Sequence, residues 1–260
     1  MPSHQIRRHA FVTGASRGIG AAIARALAAT GRRVTILGRS REGLDAQADR
    51  ISNETGADVT AVVADVGDPA ASAAAIAEAE ARFGPVDILV NNAGLAHSAP
   101  LARTTRADFE RLLAVNVLAP FELARTLMPG MQARGWGRIV NVASTAGLRG
   151  YAYTSAYTAT KHALVGLTRA LALEAAGSGV TVNAVCPGFT DTDIAKAAVD
   201  TIVAKTGRSP DQARAELARF NPMGRLIHPD EVAHAVLFLT AEDAGSLTGV
   251  ALPVAGGEVG

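Results

Sequence analysis

The sequence predicts a doubly wound α/β fold, a parallel sheet of about seven strands with helices on both faces. Two patterns point there. Short β-branched runs alternate with longer Ala- and Leu-rich stretches of helical period,. The runs are apolar nearly throughout rather than at every second position, as in strands covered on both faces. A third observation fixes the polarity of the sheet: the first strand runs straight into "TGASRGIG", a glycine-rich turn that opens a helix,.

The elements follow in order. "RHAFVT" is the first strand, with the basic "RRH" at its flank, and a helix begins near Gly18. "RVTILG" is the second strand, followed by a helix from near Arg41, and "DVTAVVA" is the third. Asp68 can cap the next helix and Pro69 suits its first position, so the Ala-rich stretch 70–81 reads as an ordinary exposed helix,. "VDILVN" and "GRIVNVA" are strands four and five, separated by a helix from near Arg106. A helix from near Ser155 leads to strand six, "VTVNAV". Near the end, Pro229 opens a helix with Asp230 and Glu231 in its first turn, where carboxylates favour the positive end of the dipole,. Val232, Val236 and Leu239 recur there at helical spacing, and "VALPVA" supplies the last strand,. Residues 189–228 are the least regular part and read as one or two helices inserted after strand six, a substrate lid,. With no interdomain linker and no long repeat, residues 1–260 are expected to form one domain.

Composition narrows the function. The chain has 260 residues, 48% hydrophobic and 19% charged, as in a soluble globular protein with a substantial core,. A net charge of +1 without a basic block gives no electrostatic support for a nucleic-acid or membrane-surface partner,. No uninterrupted apolar run of about 18 residues occurs, so no membrane span is expected, and the N-terminus lacks the apolar core of a signal peptide. Cys186, the one cysteine, cannot form an intramolecular disulfide and agrees with a reducing, cytoplasmic setting,. It ends an apolar run and reads as a buried, inert thiol. His4, His9, His97, His162, His228 and His234 show no zinc-type spacing, so no metal is expected,.

The chemistry lies at the strand ends. Gly14, Gly18 and Gly20 mark a tight turn where backbone approaches a ligand, and the helix start beyond it can hold a pyrophosphate,. The spacing is G-x-x-x-G-x-G rather than G-x-G-x-x-G. Where a cofactor with a free ribose 2′-hydroxyl usually meets a carboxylate after strand two, this chain has Gly38 and Arg39, with Arg17 nearby in the glycine loop. Two guanidiniums suit a 2′-phosphate, so NADP(H) is favoured and NAD(H) is the alternative. Gly14, Arg39, Asp65, Asn91, Ser144 and Pro187 each fall at or just beyond the carboxyl end of successive strands, the edge where open parallel sheets bind ligands. Tyr157 and Lys161 lie four apart and share a helix face, where a lysine charge should lower the phenol's pKa. Tyr151 and Tyr153 have no lysine at that spacing.

"TGASRGIG", "NNAG" at 91–94, Asn116 in "AVNVLAPF", Ser144 in "NVAST", "YTATK" at 157–161 and "PGFTDT" at 187–192 occur in one order. Over about residues 8–257 the chain resembles the short-chain dehydrogenase/reductase family in its single-domain, Rossmann-type form. Within it, the chain is similar to bacterial 3-oxoacyl-thioester reductases, polyketide ketoreductases and 3-hydroxybutyrate dehydrogenases. The resemblance implies that Tyr157 is the general acid in carbonyl reduction and the base in alcohol oxidation. Lys161 would lower its pKa and bond the nicotinamide ribose, Ser144 would hydrogen-bond the substrate oxygen, and Asn116 would distort its helix around a proton-relaying water. Ser16, Arg17, Ile19 and the loop glycines would bind the cofactor, with Asp65 and Val66 at the adenine, Asn91 at the region beneath the adenosine ribose, and Pro187, Gly188 and Thr192 at the nicotinamide end. Thr190 stands where many relatives carry an aliphatic residue, a departure that bears on the pocket wall and leaves the hydride step undisturbed. His97, Thr145, Arg149, Tyr151 and Phe189 are the candidates for the substrate pocket. For His97 a solvated loop residue, and for Arg149 a surface charge, are the competing readings.

The expected activity is NADP(H)-dependent reduction of a ketone, a 3-oxoacyl thioester or a related aromatic or cyclic ketone. The alternatives are an NAD-dependent dehydrogenase of a secondary alcohol or 3-hydroxyacyl compound and, more remotely, a non-catalytic dinucleotide sensor. The family usually assembles as tetramers, so a homotetramer, or a homodimer, is implied. Helices around 107–130 and 155–175 would form one interface, with close approach at Ala159, Ala163 and Gly166, and the C-terminal segment another.

Overall fold

The computed structural model describes residues 7–259. Seven parallel strands form one sheet: β1 (His9–Thr13), β2 (Arg33–Gly38), β3 (Val59–Val63), β4 (Ile88–Asn91), β5 (Gly137–Val142), β6 (Val180–Pro187) and β7 (Ala251–Val254), in the order β3-β2-β1-β4-β5-β6-β7. β1 pairs with β2 on one side (Ala10 opposite Val34) and with β4 on the other (Ala10 opposite Ile88). The chain therefore winds outward in both directions from the β1–β4 boundary, which opens a crevice at the carboxyl ends of those strands.

The two faces of the sheet separate by strand parity. Ala10, Val12, Val34, Ile36, Val90 and Val140 meet α1 (Gly18–Ala29), α2 (Arg41–Thr55) and α9 (Pro229–Leu239) through Ile23, Leu27, Leu44, Ile51, Val232 and Val236. Their sequence neighbours Phe11, Leu37, Leu89 and Ile139 meet α3 (Pro69–Phe83), α5 (Ala119–Ala133) and α6 (Ser155–Ala175) through Ile76, Leu123, Leu127 and Leu171. Each fully buried Leu or Ile contributes roughly 1.5–3 kcal/mol of transfer free energy. Burial on both faces is why these strands read as unbroken apolar runs.

The helix starts anticipated at Gly18, Arg41, Pro69, Arg106, Ser155 and Pro229 are where helices begin. Asp68 caps α3 by accepting from the N–H groups of Ala70 and Ala71, and Pro69 opens it. The helical stretch 106–133 is continuous: α4 (Arg106–Leu113), a π-helical turn at Ala114–Leu118 carrying Asn116, then α5. By length and composition it is apolar enough to cross a membrane, though its sequence shows no uninterrupted apolar run. Its packing on the sheet through Leu123, Leu127 and Met131 accounts for that composition.

After β6 the chain forms α7 (Asp193–Thr206) and α8 (Pro210–Ala218), two helices within the irregular stretch. They have an apolar cluster of their own around Val199, Ala213, Leu217 and Leu226. The two ends of this insertion are pinned together, since Asp191 N–H donates to Ile227 O and Ile227 N–H donates to Phe189 O, both at 2.9 Å.

Candidate active site

The six strand-end residues do gather along one edge of the sheet, around the β1–β4 crevice. Two glycines there are fixed by geometry. Gly14 has φ +64°, and a Cβ on it would stand 2.9 Å from Ala93 Cα. A Cβ on Gly20 would stand 2.4 Å from Gly14 O. The helix α1 that follows starts at Arg17 without a side-chain cap and without an acid in its first turn. α2, α3, α4, α8 and α9 all start with a side chain accepting from their first N–H groups. Uncapped and next to the glycine turn, the start of α1 is suited to an outside anion,.

The loop is held from the β4 side by a residue that the sequence reading passed over. Asn92 Nδ2 donates to Thr13 O at 2.9 Å and Gly14 O at 3.0 Å, and the N–H groups of Asn92 and Ala93 both donate to Thr13 Oγ1. Asn91, the residue expected beneath the adenosine ribose, has its side chain in the sheet instead. It is 3% exposed, and its Nδ2 donates to Asn141 Oδ1 of β5 at 2.8 Å, which in turn leads to Thr168 on α6. The register explains this, because Asn91 lies directly opposite Asn141. In "NNAG" the neighbouring asparagines face opposite ways, a parity that the motif itself already carries.

Arg39 is exposed just beyond β2. Glu42 lies in the first turn of α2. Asp65 is exposed and accepts from Gly67 N–H at 2.9 Å, whereas Val66 is buried in the core. Arg17 forms an ion pair with Asp193, at the start of α7, at 3.3 Å. Thr192 also approaches the glycine loop, its Cγ2 lying 3.3 Å from where a Gly18 Cβ would be. Pro187 ends β6, and Gly188 N–H donates to Val254 O of β7.

Across the crevice stand Ser144, Tyr157 and Lys161. Ser144, just after β5, accepts from Ala146 N–H at 3.1 Å, and its hydroxyl is near enough to the Tyr157 phenol to act on its pKa. Lys161 is 5% exposed, and its ammonium donates to Val142 O at 3.0 Å. Burial pushes its pKa down to about 8. In the chain without cofactor the Tyr157 pKa is displaced upward. Burial is the main influence and raises the phenol, the Ser144 hydroxyl opposes that shift, and the Cys186 thiol adds to it. The Lys161 ammonium sits 5.8 Å from the Tyr157 ring centroid and is directed to the Val142 carbonyl. Cys186 is fully buried nearby, and desolvation lifts its thiol to about 11, as befits an inert sulfur,.

The helix distortion expected at Asn116 is the π-helical turn. The residue is 1% exposed, and its side chain mimics a peptide. Oδ1 accepts from Leu95 N–H at 2.8 Å, while Nδ2 donates to Leu95 O at 2.9 Å and to Thr160 Oγ1 at 3.1 Å. Thr160 donates onward to Tyr157 O. Asn116 thus ties the loop after β4 to the helix bearing Tyr157 and Lys161, a link through Thr160 that residue type alone does not reveal.

Of the substrate-pocket candidates, Thr145, Tyr151 and Phe189 come together. The Tyr151 phenol lies 2.7 Å from Thr145 Oγ1, and Phe220 of the insertion packs edge-on against Tyr151 with ring centroids 5.9 Å apart and, tilted by 32°, against Phe189 at 5.6 Å. Thr190 is buried, and its hydroxyl donates to Gly188 O. Arg149 is exposed, yet its guanidinium is engaged with the main-chain oxygen of Glu258 at 3.3 Å. His97 is half-buried rather than a solvated loop residue, and its Nε2 is buried with no partner among the described residues. Glu258 joins this wall from the C-terminal segment, bonded by Tyr151. No local pattern around Glu258 announces that placement.

The glycine cradle, the uncapped α1 start and the exposed arginines fit a nicotinamide dinucleotide along the crevice. Among the described residues, no cluster of three His, Cys, Asp or Glu side chains could hold a metal. A hydroxyl, a phenol and an ammonium at one end of such a cleft are equipped to bind a carbonyl oxygen and exchange a proton with it.

Comparison with known proteins agrees. Residues 8–203 match the short chain dehydrogenase family. The granaticin polyketide synthase putative ketoacyl reductase 1 of Streptomyces violaceoruber is 41% identical over 95% of this chain and 92% of its own. An acetoacetyl-CoA reductase of Rhizobium meliloti is 39% identical, over 96% and 98%. The crystal structure of an actinorhodin polyketide ketoreductase variant with NADPH superimposes with a TM-score of 0.92 at 37% identity, over 96% of this chain and 97% of that one. With sequence, sheet order and cleft in agreement, the chain belongs to the short-chain dehydrogenase family, oxidoreductases that interconvert carbonyl and hydroxyl groups.

Proposed function

We propose that the protein is an NADP(H)-dependent reductase that converts a ketone to a secondary alcohol, its substrate a 3-oxoacyl thioester or a related aromatic or cyclic ketone. The observation that carries this reading is the placement of Tyr157 and buried Lys161 one turn apart on α6, beside Ser144 just after β5. The names of the relatives, a ketoacyl reductase and an acetoacetyl-CoA reductase, support the substrate class. NADPH in the similar ketoreductase structure, together with Arg17 and Arg39 here, supports the cofactor.

Gly14, Ser16, Arg17, Gly18, Ile19, Gly20, Arg39, Asp65, Val66, Pro187, Gly188 and Thr192 would hold the cofactor, with Asn92 bracing the loop and Asn91 the strand behind it. The bound nicotinamide supplies the hydride for the carbonyl carbon. Ser144 donates a hydrogen bond to the carbonyl oxygen and stabilises the charge that develops there. Burial keeps the Tyr157 phenol protonated, so its proton moves only when that oxygen becomes strongly basic,. Lys161, still mostly protonated at neutral pH, then supplies positive charge near the tyrosinate. Asn116 and Thr160 hold α6 in register with the loop after β4, and the insertion 189–228 serves as the lid.

The same reading includes a homotetramer. Leu118 at the π-helical turn, 56% exposed, and Leu173 on α6, 80% exposed, leave apolar surface beside the small residues Ala159, Ala163 and Gly166. Phe238, 58% exposed, does so on α9. Sedimentation of the wild type and of Gly166→Trp reads the assembly directly.

NADPH oxidation against acetoacetyl and longer 3-oxoacyl thioesters, cyclic and aryl ketones and free 3-oxo acids tests the activity, with Tyr157→Phe as the paired control. Turnover that disappears in the variant supports the role of Tyr157. Undiminished turnover removes it, and NADPH binding without any turnover would favour a dinucleotide sensor.

A further inference from the structure

A carboxyl group that the proton transfer does not use closes the pocket from the C-terminal side. Glu258, on the segment after β7, is only 9% exposed. The Tyr151 phenol is hydrogen-bonded to its Oε1, and that phenol also reaches Thr145, the residue after Ser144. The second oxygen, Oε2, is buried and has no partner among the described residues. It stands at the Gly188 wall, 2.9 Å from the position a Gly188 Cβ would take. Arg149 leaves this oxygen unmatched, because its guanidinium reaches the main-chain oxygen of Glu258 and lies 5.1 Å from the Tyr151 ring centroid.

The segment is seated firmly. Gly256 and Gly257 pack on Asn221 and Pro222 at the end of the insertion, and Phe220 lies against Tyr151. Glu258 is therefore held between the insertion and the loop carrying Ser144. A buried carboxyl oxygen without a donor is costly, more so when charged, and an aliphatic side chain there would carry no such cost. Burial raises the carboxyl's pKa, which lessens the cost without supplying the missing partner. The open oxygen suits a donor from a bound ligand. The Arg149 guanidinium beside Tyr151 disfavours a cationic donor, and the carboxyl itself disfavours a carboxylate, so the donor that fits is neutral, as a substrate hydroxyl is.

We propose that Glu258 is a specificity-determining residue whose Oε2 accepts a hydrogen bond from a hydroxyl on the substrate. It thereby selects ketones bearing an alcoholic, enolic or phenolic hydroxyl near the reacting carbonyl. The proposal rests on the ketone-reducing reading and adds a substrate class to it. A site built to bond a hydroxyl rejects the analogue that lacks one, because its own buried group is then left unpaired.

The test compares 1-tetralone with its monohydroxy isomers, measuring kcat/KM with NADPH. Calorimetric affinity for the corresponding alcohols provides a readout that needs no turnover. In the wild type, at least one hydroxylated isomer is expected to be preferred about tenfold or more. Glu258→Leu is expected to abolish that preference, and Glu258→Gln, of equal volume, to reduce it severalfold. Thermal melting confirms that each variant is folded, and Glu258→Gln decides the matter if Glu258→Leu is not. Equal preference in wild type and variants, no preference for any hydroxyl position, or no binding of any isomer overturns the proposal. Binding preference that depends on Glu258 without turnover of any ketone would sustain this inference and remove the reductase reading. Turnover without discrimination would do the reverse.

Discussion

The Lys161 ammonium donates to the main-chain carbonyl of Val142 at 3.0 Å, so a buried cation at the centre of the site is held by a neutral group and not by a carboxylate. Burial lowers its pKa from 10.5 to about 8. Between those values the unfolded chain binds the proton and the folded chain does not. Stability therefore rises with pH across that window and is reduced below about 8, where the buried charge must be kept. Lys161→Met should stabilise the cofactor-free protein at pH 7 by about 2 kcal/mol, a desolvation gain of about 3 less about 1 for the lost hydrogen bond. It should also remove this part of the pH dependence and lower turnover. Urea unfolding at pH 7 and pH 10 measures it, and a variant less stable than wild type at pH 7 would contradict the argument.

His9 makes the opposite end of the sheet sensitive to acid. It is 1% exposed in β1, with Nδ1 against Gly84 O at 2.8 Å and Nε2 against Thr35 Oγ1 at 2.9 Å. Burial lowers its pKa, outweighing the nearby carboxylates of Asp87 and Glu80. Above pH 6.5 both states are neutral and the contribution is complete. As pH falls below 6.5 the unfolded chain takes the proton first, and stability is lost by at most about 1.4 kcal/mol per unit until the folded histidine also titrates. His9→Gln should flatten the denaturant midpoint between pH 7.5 and pH 5.5 relative to wild type. A wild-type midpoint that does not move over that range would refute the claim.

Much of this was legible in the residues, for identifiable reasons. Strands buried on both faces leave continuous apolar runs, and Asp68-Pro69 or Pro229-Asp230-Glu231 start a helix through local chemistry alone, so both survive any tertiary context. The strand-end rule located Gly14, Arg39, Asp65, Ser144 and Pro187 without contacts. What escaped depends on which way a side chain turns or on a distant segment. Asn91 and Asn92 are identical in type, and only the register against Asn141 separates them. Glu258 reaches Tyr151 across 107 positions of the chain. The Lys161–Tyr157 spacing places both residues on one helix face, but it carries neither the contact of Lys161 with Val142 O nor the desolvation of both groups.

Asn92 offers a direct check of the braced loop. Its side-chain amide spans the carbonyls of Thr13 and Gly14, which fixes the strand-to-helix turn before any cofactor arrives. Asn92→Ala leaves both carbonyls without this donor and lets the turn relax. The Kd for NADPH should rise about tenfold, equivalent to one or two hydrogen bonds of ordinary worth. Asn91→Ala should leave NADPH affinity nearly unchanged and lower the melting temperature instead, because its side chain is part of the buried Asn141–Thr168 chain. Calorimetric titration paired with thermal melting separates the two. Equal losses of affinity would mean that the parity argument is wrong.

Cofactor choice turns on two arginines in unequal situations. Arg39 is exposed beyond β2, whereas Arg17 is joined to Asp193 of the insertion at 3.3 Å. Both partners of that pair are more than 60% exposed, so the pair is weak and readily exchanged for a phosphate,. Arg39→Asp should change the ratio of NADPH to NADH affinity by about tenfold or more in favour of NADH, since it removes a cation and places a carboxylate where a ribose hydroxyl can bond it. Asp193→Asn should act in the other direction, leaving Arg17 to the phosphate and tightening NADPH more than NADH. Because Arg17 and Asp193 are solvated, the Asp193→Asn effect should be plain at low ionic strength and fade as salt screens it. If Arg39→Asp leaves the ratio unaltered, the arginine after β2 is only a surface charge. If Asp193→Asn alters both affinities equally, the ion pair serves the insertion and has no part in choosing between the cofactors.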